Sequence, residues 1–219
     1  MLDLRSYGLK IARNTTSSGY IDWEGETIIY RTLSFSIANF REFVYRLISS
    51  TRALLFQDIL FENSISTAKS PLRKIPDISW RQIYDNPLDS TPFSNFLNDS
   101  RTNIGLENPE RFLYSRITTS PDLASRFTIP GPEFHWDSRE LSDWISFLSR
   151  FLENLLVLIH VTGGQPARAP ELLSLRYSNS TKTGTRNIFI ENGLLVFVTS
   201  YYKGYSISGT TKIIHRYLP

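Results

Sequence analysis

The chain has 219 residues, of which 41% are hydrophobic and 21% charged, a balance typical of a globular protein that excludes wholesale disorder. Because it contains no cysteine, a disulfide framework, a thiolate zinc site and a cysteine nucleophile are excluded together. The net charge is +3, but residues 161–219 carry seven bases against two acids, so the basic character lies in the last quarter of the chain.

The N-terminal third begins ambiguously and then becomes helical. Residues 20–23 and 27–30 could form short strands or extended chain. Apolar side chains then recur at helical spacing from Ser36 to Phe61. This spacing predicts one long helix, or two helices with a joint near residues 49–51.

Residues 63–135 have a different composition, because eight of the eleven prolines lie there among many aromatic residues. Proline suits the first turn of a helix, and the aromatic side chains are too numerous for a solvated linker. This region is therefore expected to form short helices and turns packed in a core. The expected short helices cover 80–84, 93–97, 110–117 and 121–127.

The strongest helix signal follows residue 136. Asp137 or Ser138 can cap the helix, and Glu140, three residues after Asp137, can close a capping box. Apolar side chains then repeat at helical spacing over about six turns, until Gly163 and Gly164 end the helix. We expect no apolar run of membrane-spanning length and no signal peptide, and therefore an intracellular protein that binds no membrane.

A short helix starting at Pro170 and a β-sheet complete the chain. Alternating residues predict strands over 187–191, 194–199 and 212–217, with Asn192 and Gly193 forming a hairpin turn. The sequence thus predicts a mainly α fold with a C-terminal three-stranded antiparallel meander, an α+β chain. Its expected parts are a helical region over 1–135 and a second domain over 136–219.

The last sixty residues have a specific order of motifs: a long apolar helix, a glycine turn, Arg168-x-x-Glu171, a Leu-x-x-Leu-Arg segment ending at Arg176, and a meander with Lys203 in its second turn. This order resembles the first half of the catalytic domain of tyrosine recombinases, which cut and rejoin DNA. The resemblance implies that Arg168 clamps the scissile phosphate, that Glu171 supports the site from behind, and that Lys203 protonates the leaving 5′-hydroxyl.

The recombinase His-x-x-Arg segment and tyrosine nucleophile lie downstream of the meander, whereas this sequence ends at Pro219. We therefore expect no enzyme activity, with Arg168, Glu171 and Lys203 as vestiges of a recombinase site and the chain as a truncated form of that architecture. The three histidines are scattered, so neither a metal nor another cofactor is expected.

A second resemblance extends over most of the chain from about residue 36. Several segments are similar to a domain of unknown function in filamentous fungi, which occurs in telomere-linked RecQ-like helicase proteins and mobile-element remnants. It implies a nuclear protein whose partners are DNA and a helicase-type protein. The similar segments are 40–47, 96–102, 164–168, 171–176, 186–193 and 202–206.

The leading hypothesis is a truncated or degenerate tyrosine-recombinase-like protein that keeps non-specific binding to the DNA backbone. Two alternatives stay open: a helix-rich protein-interaction module of a helicase-associated assembly, and a non-functional gene fragment. For Arg168, a simpler alternative to DNA binding is an ion pair with Glu171, three residues later on the same helix. The expected DNA-binding residues are Arg168, Arg176, Arg186, Lys203 and Lys212.

Overall fold

The computed structural model divides the chain into two compact units, Met1–Ser50 and Thr51–Pro219. The boundary expected near residue 135 lies elsewhere, because strand pairing of Thr128 with Trp136 joins the chain across it. The structure describes residues 21–62, 79–102, 111–131, 135–164, 167–182, 184–200 and 213–218.

The first unit contains a three-stranded antiparallel meander, formed by β1 (Ile21–Glu24), β2 (Thr27–Tyr30) and β3 (Leu33–Ser36) in that order. Gly25 turns β1 into β2 with a φ of 62°, a conformation that glycine adopts without strain. The strand alternative for the first two segments is therefore confirmed. The third strand was not predicted.

Helix α1 (Ile37–Ala53) follows β3 directly. The hydroxyl of Ser36 accepts a hydrogen bond from the N–H of Asn39 at 3.1 Å, which satisfies one free donor of the first turn. The helix runs unbroken through residues 49–51, so the joint considered there is absent. A π-helical stretch, Leu54–Ile59, continues it.

The core of the second unit lies around Phe127, which is fully buried. Its ring meets that of Phe61 edge to face, with centroids 5.4 Å apart. Ile117 and Leu123 complete the cluster. They come from α2 (Phe112–Thr119) and α3 (Pro121–Phe127), and Pro121 occupies the first turn of α3 as expected.

The other two short helices expected in the proline-rich region are not α-helices. Trp80–Gln82 forms a single 3-10 turn, and residues 93–97 lie in a series of turns. Asn95 explains part of the difference, because its side-chain oxygen accepts the N–H of Leu97 at 2.8 Å. Such local side-chain bonds compete with helix formation.

Strands β4 (Thr128–Ile129) and β5 (His135–Trp136) lead into α4 (Ser138–Thr162). Asp137 caps this helix as predicted, since its carboxylate accepts the N–H groups of Arg139 and Glu140 at 2.8 and 3.3 Å.

The prediction of a capping box at the start of α4 is wrong. The N–H of Asp137 donates to the carbonyl of Phe127 at 2.8 Å, so the carboxylate of Glu140 has no N–H to accept there. Glu140 pairs with Arg126 at 2.6 Å instead and joins α4 to the end of α3.

Helix α4 has 25 residues and none of them is buried. The helix is long enough, and an 18-residue stretch of it apolar enough, to cross a membrane by length and composition, so the expectation that no apolar run reaches that length is wrong. A core helix passes the same test, and one such helix is weak evidence of a span. The first turns of α4 pack on the core, where the indole N–H of Trp144 donates to the carbonyl of Ile59 at 3.3 Å.

The C-terminal meander is confirmed. Helix α5 (Ala169–Leu173) precedes strands β6 (Ile188–Glu191), β7 (Leu194–Ser200) and β8 (Ile213–Tyr217), which pair antiparallel in that order. Asn192 and Gly193, with φ angles of 53° and 77°, form the primed turn that the Asn-Gly pair predicts. The chain is therefore an α+β protein, with an N-terminal sheet in addition to the predicted one.

Truncation of the central core residue is expected to destabilise the second unit strongly. Phe127→Ala removes a fully buried ring, and such changes lower the free energy of unfolding by about 3–5 kcal/mol. Urea denaturation followed by circular dichroism measures the loss. Leu88→Ala is the matched control, because Leu88 is 88% exposed and its truncation should change stability by less than about 0.5 kcal/mol. Equal midpoints for the two variants would contradict this description of the core.

Candidate functional site

The guanidinium of Arg186 is the centre of a buried polar cluster. Its side chain is 2% exposed and that of Asp85 is 1% exposed. The two form a bidentate ion pair, in which one nitrogen donates to Asp85 at 3.0 Å, and further bonds reach the carbonyls of Asn86 at 3.0 Å and Ile188 at 3.2 Å. The N–H of Ile190 also donates to Asp85, at 2.8 Å. This cluster attaches β6 to the turns that follow Trp80–Gln82.

Asn179 strengthens the same attachment and is 2% exposed. Its amide group donates to the carbonyls of Asp89 and Thr91 at 2.8 and 3.0 Å, and its oxygen accepts the N–H of Arg186 at 2.8 Å. Its backbone carbonyl accepts the N–H of Phe93 at 2.9 Å. Residues 79–102 are therefore an integral part of the second unit.

A second buried ion pair joins α5 to the sheet. Arg216 of β8 donates to Glu171 at 3.0 Å, with the two side chains 5% and 6% exposed. The other terminal nitrogen of Arg216 donates to the hydroxyl of Thr199 in β7. Because buried charges are tolerated only when they are paired and hydrogen-bonded, this contact fixes how α5 lies against the sheet.

An open depression of about 460 Å³ lies beside the Arg186 cluster. The half-buried Arg176 and the hydroxyl residues Ser174, Thr185 and Ser200 line it, together with the buried Arg186. Its remaining wall includes apolar side chains of the sheet, which lower the local dielectric and strengthen electrostatic attraction. The depression therefore combines a guanidinium, hydroxyl donors and an apolar wall.

Two local features shape the depression. The N–H of Arg176 donates to the side chain of Asn187 at 2.7 Å, which holds the backbone beside the first residue of β6. Gly184 lines the depression with a φ of 98°, a backbone conformation that glycine adopts without strain.

The Nε–H group of Arg186 is buried and, among the described residues, has no hydrogen-bond partner. Buried donors in native structures are nearly always satisfied by protein, water or a bound ion. This donor lies in the interior of the Arg186 cluster, where the side chain is 2% exposed.

The structure brings together only part of the predicted DNA-binding set. Arg176 and Arg186 line one depression, whereas the exposed Arg168 precedes α5 and does not line it. Lys203 and Lys212 lie outside the described residues.

The expected roles of two residues require correction. Arg186 does not offer its terminal nitrogens to DNA, because Asp85 and two carbonyls occupy them in the interior. Glu171 belongs to the buried pair with Arg216, so the pairing with Arg168 considered from the sequence is not the ion pair it forms.

Sequence reasoning missed the residues that complete the site. Asp85 precedes Arg186 by 101 positions, and no local pattern connects the two. The hydroxyls of Ser174, Thr185 and Ser200 belong to three separate segments, and hydroxyl residues are common in any loop. Only the folded chain brings them together around Arg176.

Comparison with family models, curated proteins and solved structures finds no match for this chain.

Removing the acid of the buried cluster is expected to be costly. Asp85→Ala leaves the Arg186 charge buried without its partner, which typically lowers the free energy of unfolding by about 3–5 kcal/mol. Urea denaturation measures the change. Arg101→Ala is the control, because Arg101 pairs with Asp99 at the surface with its side chain 58% exposed, and such pairs contribute at most about 1 kcal/mol. Similar losses in the two variants would contradict a structural role for the buried pair.

The pKa of the Asp89 carboxylate depends on hydrogen bonds within residues 79–102. Hydrogen bonds from Ser94 and then from Thr91 lower the pKa of Asp89 from 3.8 to about 2. Because the pKa of Asp89 is lowered in the folded protein, its ionised carboxylate stabilises the fold at pH values above its ordinary pKa of 3.8. This contribution is lost as the pH falls through about 2.

Ser94→Ala should therefore raise the pKa of Asp89 towards its ordinary value, as measured by carbon-13 NMR titration of the carboxyl group. Ser90→Ala, at an exposed neighbouring position, should leave it unchanged. An unchanged pKa in Ser94→Ala would show that the Ser94 bond is not its cause.

Proposed function

We propose that this protein binds the phosphate backbone of DNA at the depression beside Arg176. The observation that carries the proposal is that the half-buried Arg176 and the exposed hydroxyl residues Thr185 and Ser200 line the same open depression. A phosphodiester supplies the negative charge and the acceptor oxygens that a guanidinium and hydroxyl groups match.

Charge within the site favours an anion. Asp85 pairs with Arg186, whereas Arg176 brings a second guanidinium to the lining of the depression. The hydroxyls of Thr185 and Ser200 can donate to further phosphate oxygens. A single phosphate group thus meets charge and hydrogen-bond donors in one place.

DNA is the proposed source of the phosphate for two reasons. The chain carries a net charge of +5 over residues 161–219, which favours a polyanion over a single small anion. The resemblance of the Arg168 to Arg176 segment to tyrosine recombinases also supports DNA. The proposal is a degenerate recombinase-like protein of fungal mobile-element or telomere-linked helicase origin that binds DNA without exchanging strands.

Protein interaction is a second candidate function, favoured by the exposed apolar surface of α4. Ile145, Leu152 and Val157 are 55%, 53% and 43% exposed. Apolar residues concentrated in this way on one helix are typical of a surface that another protein covers. A helicase-type protein is the partner that the fungal resemblance proposes for it.

Fluorescence anisotropy tests the DNA proposal, with a labelled DNA duplex titrated with the full chain. Affinity should fall steeply as salt is raised, because binding releases counterions. Arg176→Ala should weaken binding about tenfold and reduce the salt dependence by about one counterion. Arg150→Ala, which removes an equal charge from an exposed position on α4, should have no effect.

Three results would contradict the proposal. The first is no binding at low salt, which would favour the interaction module. The second is equal affinity for Arg176→Ala and Arg150→Ala. The third is a larger loss for the Arg168→Ala/Lys203→Ala double variant than for Arg176→Ala, which would move the contact to the positions that the recombinase resemblance indicates.

A further inference from the structure

The sheet of the first unit has one face made entirely of large apolar and aromatic side chains. Successive residues of a strand point to opposite faces, so the pairing register determines which side chains share a face. We call this surface the apolar sheet face. Its two cross-strand rows are Ile21–Tyr30–Leu33 and Trp23–Ile28–Phe35.

The opposite face of the same sheet is polar. Asp22 and Glu24 of β1 lie there, opposite Ile29 and Thr27 of β2, and Ser34 of β3 continues the first row. The acidic residues of β1 are thus separated from the apolar sheet face by the sheet itself. The strands themselves contribute no charged side chain to the apolar sheet face, and Arg31 of the β2–β3 turn reaches its edge, with its guanidinium 5.3 Å from the centroid of the Tyr30 ring.

The apolar sheet face is strongly exposed. Ile21, Trp23, Leu33 and Phe35 are 59%, 60%, 67% and 45% accessible to solvent. Phe40 of α1 extends the surface, because its ring lies 6.4 Å from that of Phe35 and is itself 39% exposed. A sheet of three four-residue strands needs a second layer over its apolar face to be stable.

We propose that a second copy of this chain covers the apolar sheet face, so that two sheets pack face to face in a symmetric dimer. Apolar patches of this kind can pack on copies of themselves, and a two-fold axis places the same patch on both subunits. Two twisted sheets in this arrangement pack about 10 Å apart with interdigitated side chains.

The exposed area agrees with a dimer of moderate stability. Large side chains present about 150–250 Å² each, so the exposed parts of these five residues amount to roughly 500 Å² per copy. A dimer would bury roughly 1,000 Å² in total, which lies at the lower limit for a specific interface. Association should therefore depend on concentration over the micromolar range.

Sedimentation velocity of the full chain between about 1 and about 100 µM tests the proposal. The mass should rise from 25.2 kDa towards twice that value with concentration. Phe35→Glu puts a charge on the apolar sheet face and should keep the chain monomeric. Ser34→Glu introduces the same charge one residue away on the polar face and should leave the dimer intact.

Labelling provides a second measurement that does not require a disruptive change. The chain has no cysteine, so Leu33→Cys and Ser34→Cys each introduce one thiol on opposite faces of β3. Circular dichroism verifies that both variants are folded. A maleimide should label the thiol of Leu33→Cys at least fivefold more slowly at high than at low protein concentration, whereas the rate for Ser34→Cys should stay constant.

A chain that stays monomeric at all concentrations would overturn the proposal, and so would dimers of equal strength in Phe35→Glu and Ser34→Glu. Equal labelling of the two thiols at high protein concentration would do the same. None of these results bears on DNA binding at Arg176, because the substitutions lie in the other unit. The DNA titration separates a failure of the proposed function from a failure of the dimer.

Discussion

One buried ion pair, Arg186 with Asp85, holds residues 79–102 against β6 in the second unit. Moving a guanidinium out of water costs several kcal/mol unless its nitrogens find acceptors, and an unmatched partner would be equally costly. Arg186 meets this requirement through Asp85 and two carbonyls, and Asp85 accepts the N–H of Ile190 in addition. Asp85 and Arg186 must therefore be buried together. Their pairing attaches residues 79–102 to the edge strand β6 and restricts the position of those residues.

The same constraint gives the depression its form. Arg186 is held by its terminal nitrogens, which donate to Asp85 and two carbonyls, and it also lines the depression. Arg176 is half-buried at the same place, with its backbone held by Asn187. The buried arginine thus supports the site, whereas the more accessible arginine brings a second guanidinium to it. This division of roles differs from the uniform basic surface that composition alone suggests.

The two units carry different kinds of surface. The second has a polar depression whose groups match an anion, together with an apolar stretch along α4. The first presents a sheet with one charged and one apolar face, and its largest side chains are exposed. Burial of apolar area is the main source of stability in proteins, so surfaces of this kind favour association with another chain. We infer that nucleic-acid contact and self-association involve separate parts of the molecule.

Local sequence signals determined the regular elements correctly where neighbouring residues decide the outcome. The Asn192–Gly193 turn needs positive φ at both positions, Asp137 caps the first turn of α4, and Pro121 starts α3. Strand β3 was missed because its four residues directly precede the helical pattern of α1, and such a short run carries little periodic signal.

The sequence by itself determined helices α1 to α5, the C-terminal meander and the excess of positive charge near the end of the chain, but it also predicted helices at 80–84 and 93–97, where the structure has turns. Only the tertiary structure decided which charged residues are buried and with which partner. Glu140 and Glu171 illustrate this, since each was assigned a nearby partner but pairs with an arginine brought close by packing. The physical reason is that desolvation depends on all the segments that surround a group, and spacing along the chain does not encode it.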